Sequence, residues 1–314
     1  WLNIVSFPTE NYPMAVFTIT GATGSVGRAI IQTLQSESHE IRVLSTRKSV
    51  KIKGVSSFYW NPATNEIDHD ALIGADYLIH LAGATVSKRW TPAYKKLIMD
   101  SRVDGTQLLL SATSRLKTPL KGVISASAIG YYGSDLERLM TEEDAPADDY
   151  LAAVTKTWES YTKKFESPQT RSIQLRIGIV LDPGEGVLGR LEPLVKFGLA
   201  APLGSGKQWS SWIHVEDLAR MFIYAATQSV ASGAYNAVAP APVTNKQLTK
   251  ALCRVNKRPM LPIGVPPFAL KVVLGQMATL ALMSQKVSAK KIVATGFSFK
   301  YESVERAFKA LYRH

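Results

Sequence analysis

The segment TGATGSVG, residues 20–27, constrains this fold more than any other stretch. It sits between AVFTIT (15–20), a continuous β-rich run, and RAIIQTLQS (28–36), apolar at helical spacing. Gly21, Gly24 and Gly27 recur every three residues, each with its own task. The first permits a tight turn, the second lets the backbone approach a pyrophosphate, and the third lets helix and strand pack closely. The amides of Thr23, Gly24, Ser25 and Val26 then face phosphates at the positive end of a helix. A plain glycine-rich turn is the alternative, and the strand–loop–helix context argues against it.

The chain continues in the same rhythm. IRVLS (41–45), SSFYW (56–60), YLIHLAG (77–83), GVISAS (122–127) and SIQLRIGIVL (172–181) read as strands. Residues 91–114 read as a long amphipathic helix with Pro92 in its first turn, and 150–167 as another. Such alternation predicts an α/β fold with a doubly wound parallel sheet. After residue 181 the pattern loosens. IHVEDLARMFIYAATQ returns to a helix and AYNAVA (234–239) to a core strand. From Pro240 onward helices and Pro-rich joints dominate. The expected organisation is an extension at 1–13, a dinucleotide-binding domain at 14–180 and 212–240, and a small, mainly helical C-terminal domain at 181–211 and 241–314 that caps the sheet's carboxyl edge.

The end of the second strand selects the dinucleotide. A site for NAD places an acid there to accept from the ribose hydroxyls. This chain has Ser45, Thr46, Arg47 and Lys48. A 2′-phosphate gains charge-assisted hydrogen bonds from Arg47 and meets no carboxylate, which predicts NADP(H). An exposed basic turn is the other reading of Arg47 and Lys48. GSGK (204–207) is no phosphate-binding P-loop, since Ala stands at 201 and Gln208 follows Lys207.

Composition narrows the function. The net charge is +12, but the 37 Lys and Arg are dispersed, so a solvated basic surface is favoured over nucleic-acid binding. One cysteine, Cys253, excludes an internal disulfide and a thiolate cage. The five histidines show no metal-binding spacing, so no metal is expected. FALKVVLGQMATLALM (268–283) is too short and too interrupted to span a membrane. It reads as a helix buried against protein. The first residue is Trp and the leader lacks Arg and Lys, which reads as what remains after a transit peptide is removed.

Together the segments TGATGSVGRAI, IHLAGA, SKRWTPAYKKLIMDSRVDGTQLL, SASAIGYYG, DDYLAAVTKTWE, LRIGIVL, PLGSGKQWSSWIHVEDLA, GAYNAVAPAPVTN and GFSFKYESVERAF resemble the extended, atypical branch of the short-chain dehydrogenase/reductases. The match is to the NAD-dependent epimerase/dehydratase-like "epimerase family" proteins, over nearly the whole chain from Met14. HEIRVL, DDYLAAV and GFSFKY look like the plastid and cyanobacterial type. The resemblance implies a Rossmann domain binding NADP(H), a small C-terminal domain, and loss of the usual Tyr-xxx-Lys pair. The residues agree with that loss. None of the 12 tyrosines has Lys four positions later. Tyr150 is followed by Val154, and Lys156 lies six residues on, about 240° round a helix.

Site residues follow. Leu81, Ala82 and Gly83 after the fourth strand, and Ile179, are expected beside the cofactor. Ser127, at a strand's carboxyl end, matches the superfamily's serine that hydrogen-bonds substrate, with Tyr131 as the candidate phenol; a strand-end cap and a packed ring are the structural alternatives. Arg89, Trp90, Arg102, Lys207, Trp212 and His214 are candidates for a substrate pocket, with a structural role the alternative for His214. Two functions are expected. One is an NADP(H)-dependent oxidoreductase or epimerase acting on a small molecule. The other is a non-catalytic NADP(H)-binding accessory or regulatory subunit of a larger organellar assembly. The expected location is a eukaryotic organelle, plastid before mitochondrion, with the cytoplasm as the alternative.

Overall fold

The computed structural model describes residues 14–48 and 50–312; the expected extension at 1–13 lies outside them. The strands are β1 (Val16–Thr20), β2 (Glu40–Ser45), β3 (Ser56–Asn61), β4 (Glu66–Ile67), β5 (Tyr77–His80), β6 (Gly122–Ala128), β7 (Leu139–Met140), β8 (Arg171–Ile177), β9 (Ile179–Leu181), β10 (Trp209–Ser210), β11 (Trp212–His214), β12 (Gly233–Ala237), β13 (Val243–Thr244) and β14 (Lys286–Val287). The α-helices are α1 (Ser25–Ser36), α2 (Pro92–Thr113), α3 (Tyr150–Thr162), α4 (Gly186–Lys196), α5 (Val215–Thr227), α6 (Asn245–Val255), α7 (Pro267–Leu274), α8 (Ala278–Leu282), α9 (Lys290–Ala294) and α10 (Val304–Leu311).

One eight-stranded sheet, ordered β12-β8-β6-β5-β1-β2-β3-β4, organises the molecule. It is parallel except for the antiparallel β4. The chain winds outward from β1 to β3, then returns to β5 and winds the other way. The loops after β1 and β5 therefore diverge and leave a crevice at their carboxyl ends, where open α/β sheets bind ligands. Burial on both faces explains why β1 is a continuous apolar and threonine run. Helices α1 and α5 cover one face, with Ile30, Leu34, Leu218 and Phe222 packed among Ile19 and Ile124. On the other, Leu108 and Leu109 of α2 meet Leu78, Val123 and Trp60. Local signals set the helix starts. Thr91 accepts from the Tyr94 amide ahead of Pro92, and Thr244 and Gln247 form a capping box for α6. A second core gathers Leu188 and Leu191 of α4, Leu248 and Leu252 of α6, and Val304 and Phe308 of α10.

Two expectations are corrected. The run 172–181 is two strands, split at Gly178. A Cβ there would lie 2.5 Å from the Ser211 carbonyl oxygen, and the close approach lets the Ile179 amide donate to that oxygen at 2.8 Å. Strand β9 so leaves the main sheet and pairs with β11. The run 268–283 is no single buried helix. Gly275, at φ +59°, separates α7 from the segment leading to α8. Leu270, Met277 and Ala278 anchor it, while Phe268, Val272 and Val273 are 71%, 79% and 77% exposed.

A buried ion pair ties the carboxyl half of the sheet to α3. Arg176 of β8 donates from Nε and Nη2 to the two carboxylate oxygens of Glu159, each at 2.8 Å, and both residues are 4% exposed. The Ser127 hydroxyl donates to the same carboxylate at 2.7 Å. Arg176 Nη1 donates to the Tyr132 hydroxyl at 2.9 Å, which donates to Asn236 Oδ1 of β12 at 2.6 Å. Removing one partner leaves a buried, unpaired charge. Glu159→Ala is expected to lower unfolding stability by about 3–5 kcal/mol in urea titration; a loss under about 1 kcal/mol, the range of a surface pair, would contradict this view.

Candidate active site

The three glycines differ in what confines them. Gly21 has φ +71°, and a Cβ would lie 3.0 Å from the Ala82 nitrogen and the Leu81 carbonyl carbon. A Cβ on Gly27 would lie 2.6 Å from Ala22 Cα and from Gly21 O. Gly24 has ordinary angles, φ −74° and ψ 167°, and its Cβ would meet nothing nearer than 3.4 Å. Two glycines are thus required by the protein itself. The third keeps open space at the amino end of α1, where the first amides have no intrahelical acceptor and Gly24 offers no side-chain cap. That is a cradle a side chain would fill, and it fits a diphosphate.

Around it, Leu81 and Ala82 are half-buried and Gly83 is exposed, at the crevice between β1 and β5. Thr23 is exposed, and Ser25 and Val26 are half-buried on the same loop. Arg47 and Lys48 are exposed beyond β2. Neither has an ion-pair partner among the described residues; Lys48 Nζ lies 5.1 Å from the Tyr59 ring centroid. On the opposite side, the Ser25 hydroxyl donates to Asp182 and Arg28 donates to Glu185 at 2.8 Å. Ile179 opens β9 and packs against the second core.

Behind the crevice a hydrogen-bond chain fixes its own proton positions. The Thr20 hydroxyl accepts from the Leu81 and Ala82 amides at 3.1 and 3.2 Å, so its proton goes to His80 Nδ1 at 2.7 Å. His80 then carries its proton on Nε2 and donates to the Thr106 hydroxyl at 3.2 Å, and Thr106 donates to the Arg102 carbonyl at 2.6 Å. Burial holds the His80 pKa down to about 3, aided by the Arg102 charge, so it stays neutral. The Arg102 guanidinium donates from Nη1 to the Ala84 and Ile98 carbonyls and lies 4.9 Å from the Trp158 ring centroid. Desolvation lowers its pKa to about 10, which leaves it charged at neutral pH.

A cavity of about 800 Å³ opens between α2, α3 and the α7–α8 segment. Its walls include Trp90, Lys95, Tyr150, Leu151, Lys271 and Met283. Trp90 and Tyr150 meet edge to face at 5.4 Å, and the Tyr150 hydroxyl donates to the Lys95 carbonyl at 2.9 Å. Burial raises the Tyr150 pKa against the opposing pull of Arg102, so the phenol is a neutral donor. Arg89 reaches the rim, its Nε 3.9 Å from where a Cβ on Gly275 would stand.

Several expected site residues lie elsewhere. Ser127 is 3% exposed and its hydroxyl is committed to Glu159, so it does not face an open cleft. Trp212 is fully buried in the second core and donates to the Ala241 carbonyl at 3.0 Å; it walls no pocket. His214 is buried too. Its Nδ1 accepts from the Glu216 amide as the cap of α5, and its ring stacks on Tyr301 at 3.9 Å. Lys207 is exposed on the loop before β10 and does not line the cavity. Tyr131 is half-buried, with the Arg176 guanidinium 3.5 Å from its ring centroid and its hydroxyl in no hydrogen bond among the described residues. Sequence reasoning missed Glu159, Arg176, His80, Lys95 and Lys271. The first pair had one signal, a charged residue in the interior of the strand RSIQLRI, flanked by Leu175 and Ile177.

Comparison with known proteins fits this geometry. The model of the NAD-dependent epimerase/dehydratase family matches residues 17–238, and a domain of unknown function, DUF1731, matches 265–311. The chain belongs to the NAD-dependent epimerase/dehydratase family. Its similar relatives include an epimerase family protein of Staphylococcus aureus, 36% identical over 95% of this chain and 99% of the relative. Another, from Mycobacterium leprae, is 34% identical over 93% of this chain and 94% of the relative. Among solved structures, the human epimerase family protein SDR39U1 (isoform 2), crystallised with NADPH, superposes with a TM-score of 0.86 at 27% identity, covering 95% of this chain and 99% of that one. These relatives are bacterial and human. As in other Rossmann folds, the glycine loop of this epimerase-family chain lies where the strand order reverses.

Two outcomes check the site. Gly24→Ala is expected to fold with wild-type stability and to lose NADPH affinity by at least about ten-fold in fluorescence titration, whereas Gly27→Ala is expected to destabilise the fold by about 2–4 kcal/mol. Equal effects of the two variants on stability would refute the division of labour. The second concerns pH. Burial also holds His214 to about 4, while an unfolded imidazole titrates near 6.5. Between those values the unfolded chain binds the extra proton. Stability therefore falls as pH drops below 6.5, by at most about 1.4 kcal/mol per unit per imidazole, and a flat urea midpoint from pH 7 to 5 would contradict the neutral, buried rings.

Proposed function

We propose that the protein binds NADP(H) in the crevice after β1 and β5 and acts as an oxidoreductase or epimerase on a small molecule held in the cavity beside Tyr150, without a Tyr-xxx-Lys pair. The open cradle at Gly24 carries this reading, and the human relative's NADPH supports it. Two exposed cations beyond β2, Arg47 and Lys48, with no carboxylate among residues 45–48, support a 2′-phosphate as their ligand. The bound nicotinamide supplies or accepts hydride. The chain's residues do the rest. Leu81–Gly83 admit the cofactor backbone, Trp90 and Tyr150 wall the cavity, and Tyr131, a half-buried phenol on the loop after β6, has a hydroxyl with no hydrogen bond among the described residues that can share a proton with a reacting oxygen.

A second reading rests on the exposed Phe268, Val272 and Val273 of α7: a non-catalytic NADP(H)-binding subunit that docks a protein partner. An organellar location, plastid before mitochondrion, belongs to the proposal on the wording of HEIRVL, DDYLAAV and GFSFKY. A reductase screen with NADPH separates the two readings. Turnover lost in Tyr131→Phe with NADPH affinity intact supports the enzyme; stoichiometric nucleotide without turnover on any carbonyl or sugar substrate supports the subunit. For the cofactor, Arg47→Asp is expected to shift preference from NADPH toward NADH by at least about ten-fold, because one phosphate contact is replaced by a repulsion. Unchanged preference would remove the role given to β2's end.

A further inference from the structure

We propose that the 800 Å³ cavity takes a small organic acid, with a planar or branched apolar body and a single carboxylate or phosphate, and that Lys95 and Lys271 hold its charge. This deepens the reading of the cavity as a substrate site. The volume lies within the range of small-molecule sites, and its walls are mainly aromatic and aliphatic. Two lysines line it, Lys95 on α2 and Lys271 on α7. The Lys95 ammonium lies 4.8 Å from the Tyr150 ring centroid and 5.8 Å from that of Trp90, against aromatic faces rather than an acid. Neither lysine has an ion-pair partner among the described residues. The one carboxylate in the lining, Asp149, is engaged: its Oδ1 accepts from the Ala152 amide at 2.9 Å as the cap of α3. Arg102, with no carboxylate partner among the described residues, adds a third positive charge acting on Tyr150.

Lys95, set against aromatic rings, gains from an anion that leaves water with it, and the exposed Lys271 adds a second positive charge at the rim. A cationic ligand would find one carboxylate, already in use. A neutral sugar could pair hydroxyls with Ser134, Gln276 and Thr279, but it would leave both ammoniums without an anion and turn polar groups toward Trp90, Leu151 and Met283. An acid with an apolar body satisfies both halves of the site.

The test is isothermal titration of the full chain, with and without NADPH, using 2-naphthoate, 2-naphthyl phosphate and the neutral isostere 2-naphthalenemethanol. At least one acid is expected to bind about ten-fold more tightly than the alcohol, and the tighter of the two identifies carboxylate or phosphate. Lys271 is exposed, so Lys271→Gln leaves folding intact; it is expected to weaken the acid about five-fold and leave the alcohol unchanged, with rescue by Lys271→Arg. Lys95→Gln is expected to act in the same direction. Equal binding of acids and alcohol, binding of none, or acid binding indifferent to both glutamine variants overturns the proposal. NADPH affinity is read separately from its fluorescence. Its absence would sink the cofactor assignment while leaving the acid-over-alcohol comparison intact.

Discussion

The Glu159–Arg176 pair is the contact on which the carboxyl half of the molecule depends. It joins α3 to β8, and through Ser127, Tyr132 and Asn236 it reaches β6 and β12. A bidentate guanidinium–carboxylate contact tolerates little rotation, so it sets the angle of α3 against the sheet. That angle places Tyr150 and Leu151, at the other end of α3, in the cavity wall. The same guanidinium lies against the Tyr131 ring and holds it at the sheet's edge. The serine expected to touch substrate serves this scaffold instead, supplying one more hydrogen bond to a carboxylate that has left water.

What was legible in the sequence follows the range of the forces involved. The glycine loop was legible because its demands are steric and local: a turn at Gly21 and a close approach at Gly27. The parallel order of the sheet was legible because buried strands and amphipathic helices alternate. The split at Gly178 was not, because it depends on the Ser211 carbonyl arriving from a strand far along the chain. Trp212 and His214 looked like pocket residues because Trp and His often line ligands; packing of α4, α6 and α10 around one, and the capping of α5 by the other, took them inward. Lys95 and Lys271, far apart in sequence, become neighbours of one cavity only when α7 settles against α2 and α3.

The missing lysine has a structural counterpart. Val154, four residues after Tyr150, is 3% exposed and packs with Trp90, Ile98, Leu151 and Met277. Lys156 is exposed. The helical face that would carry a lysine beside the phenol is therefore the face on which the C-terminal segment docks through Met277. A lysine at 154 would bring an ammonium into that contact, and its desolvation would oppose docking. One patch of α3 cannot both present a cation to Tyr150 and seat an apolar lid on the cavity. This chain does the second, and its cations come from α2 instead: Arg102, which pulls on the Tyr150 phenol, and Lys95, which sits over its ring. Positive charge beside Tyr150 thus comes from α2 rather than from α3, and the phenol it faces stays protonated. The Tyr150 proton is itself engaged with the Lys95 carbonyl, so the positive charge around the phenol, more than the phenol, is what this face presents to an incoming group.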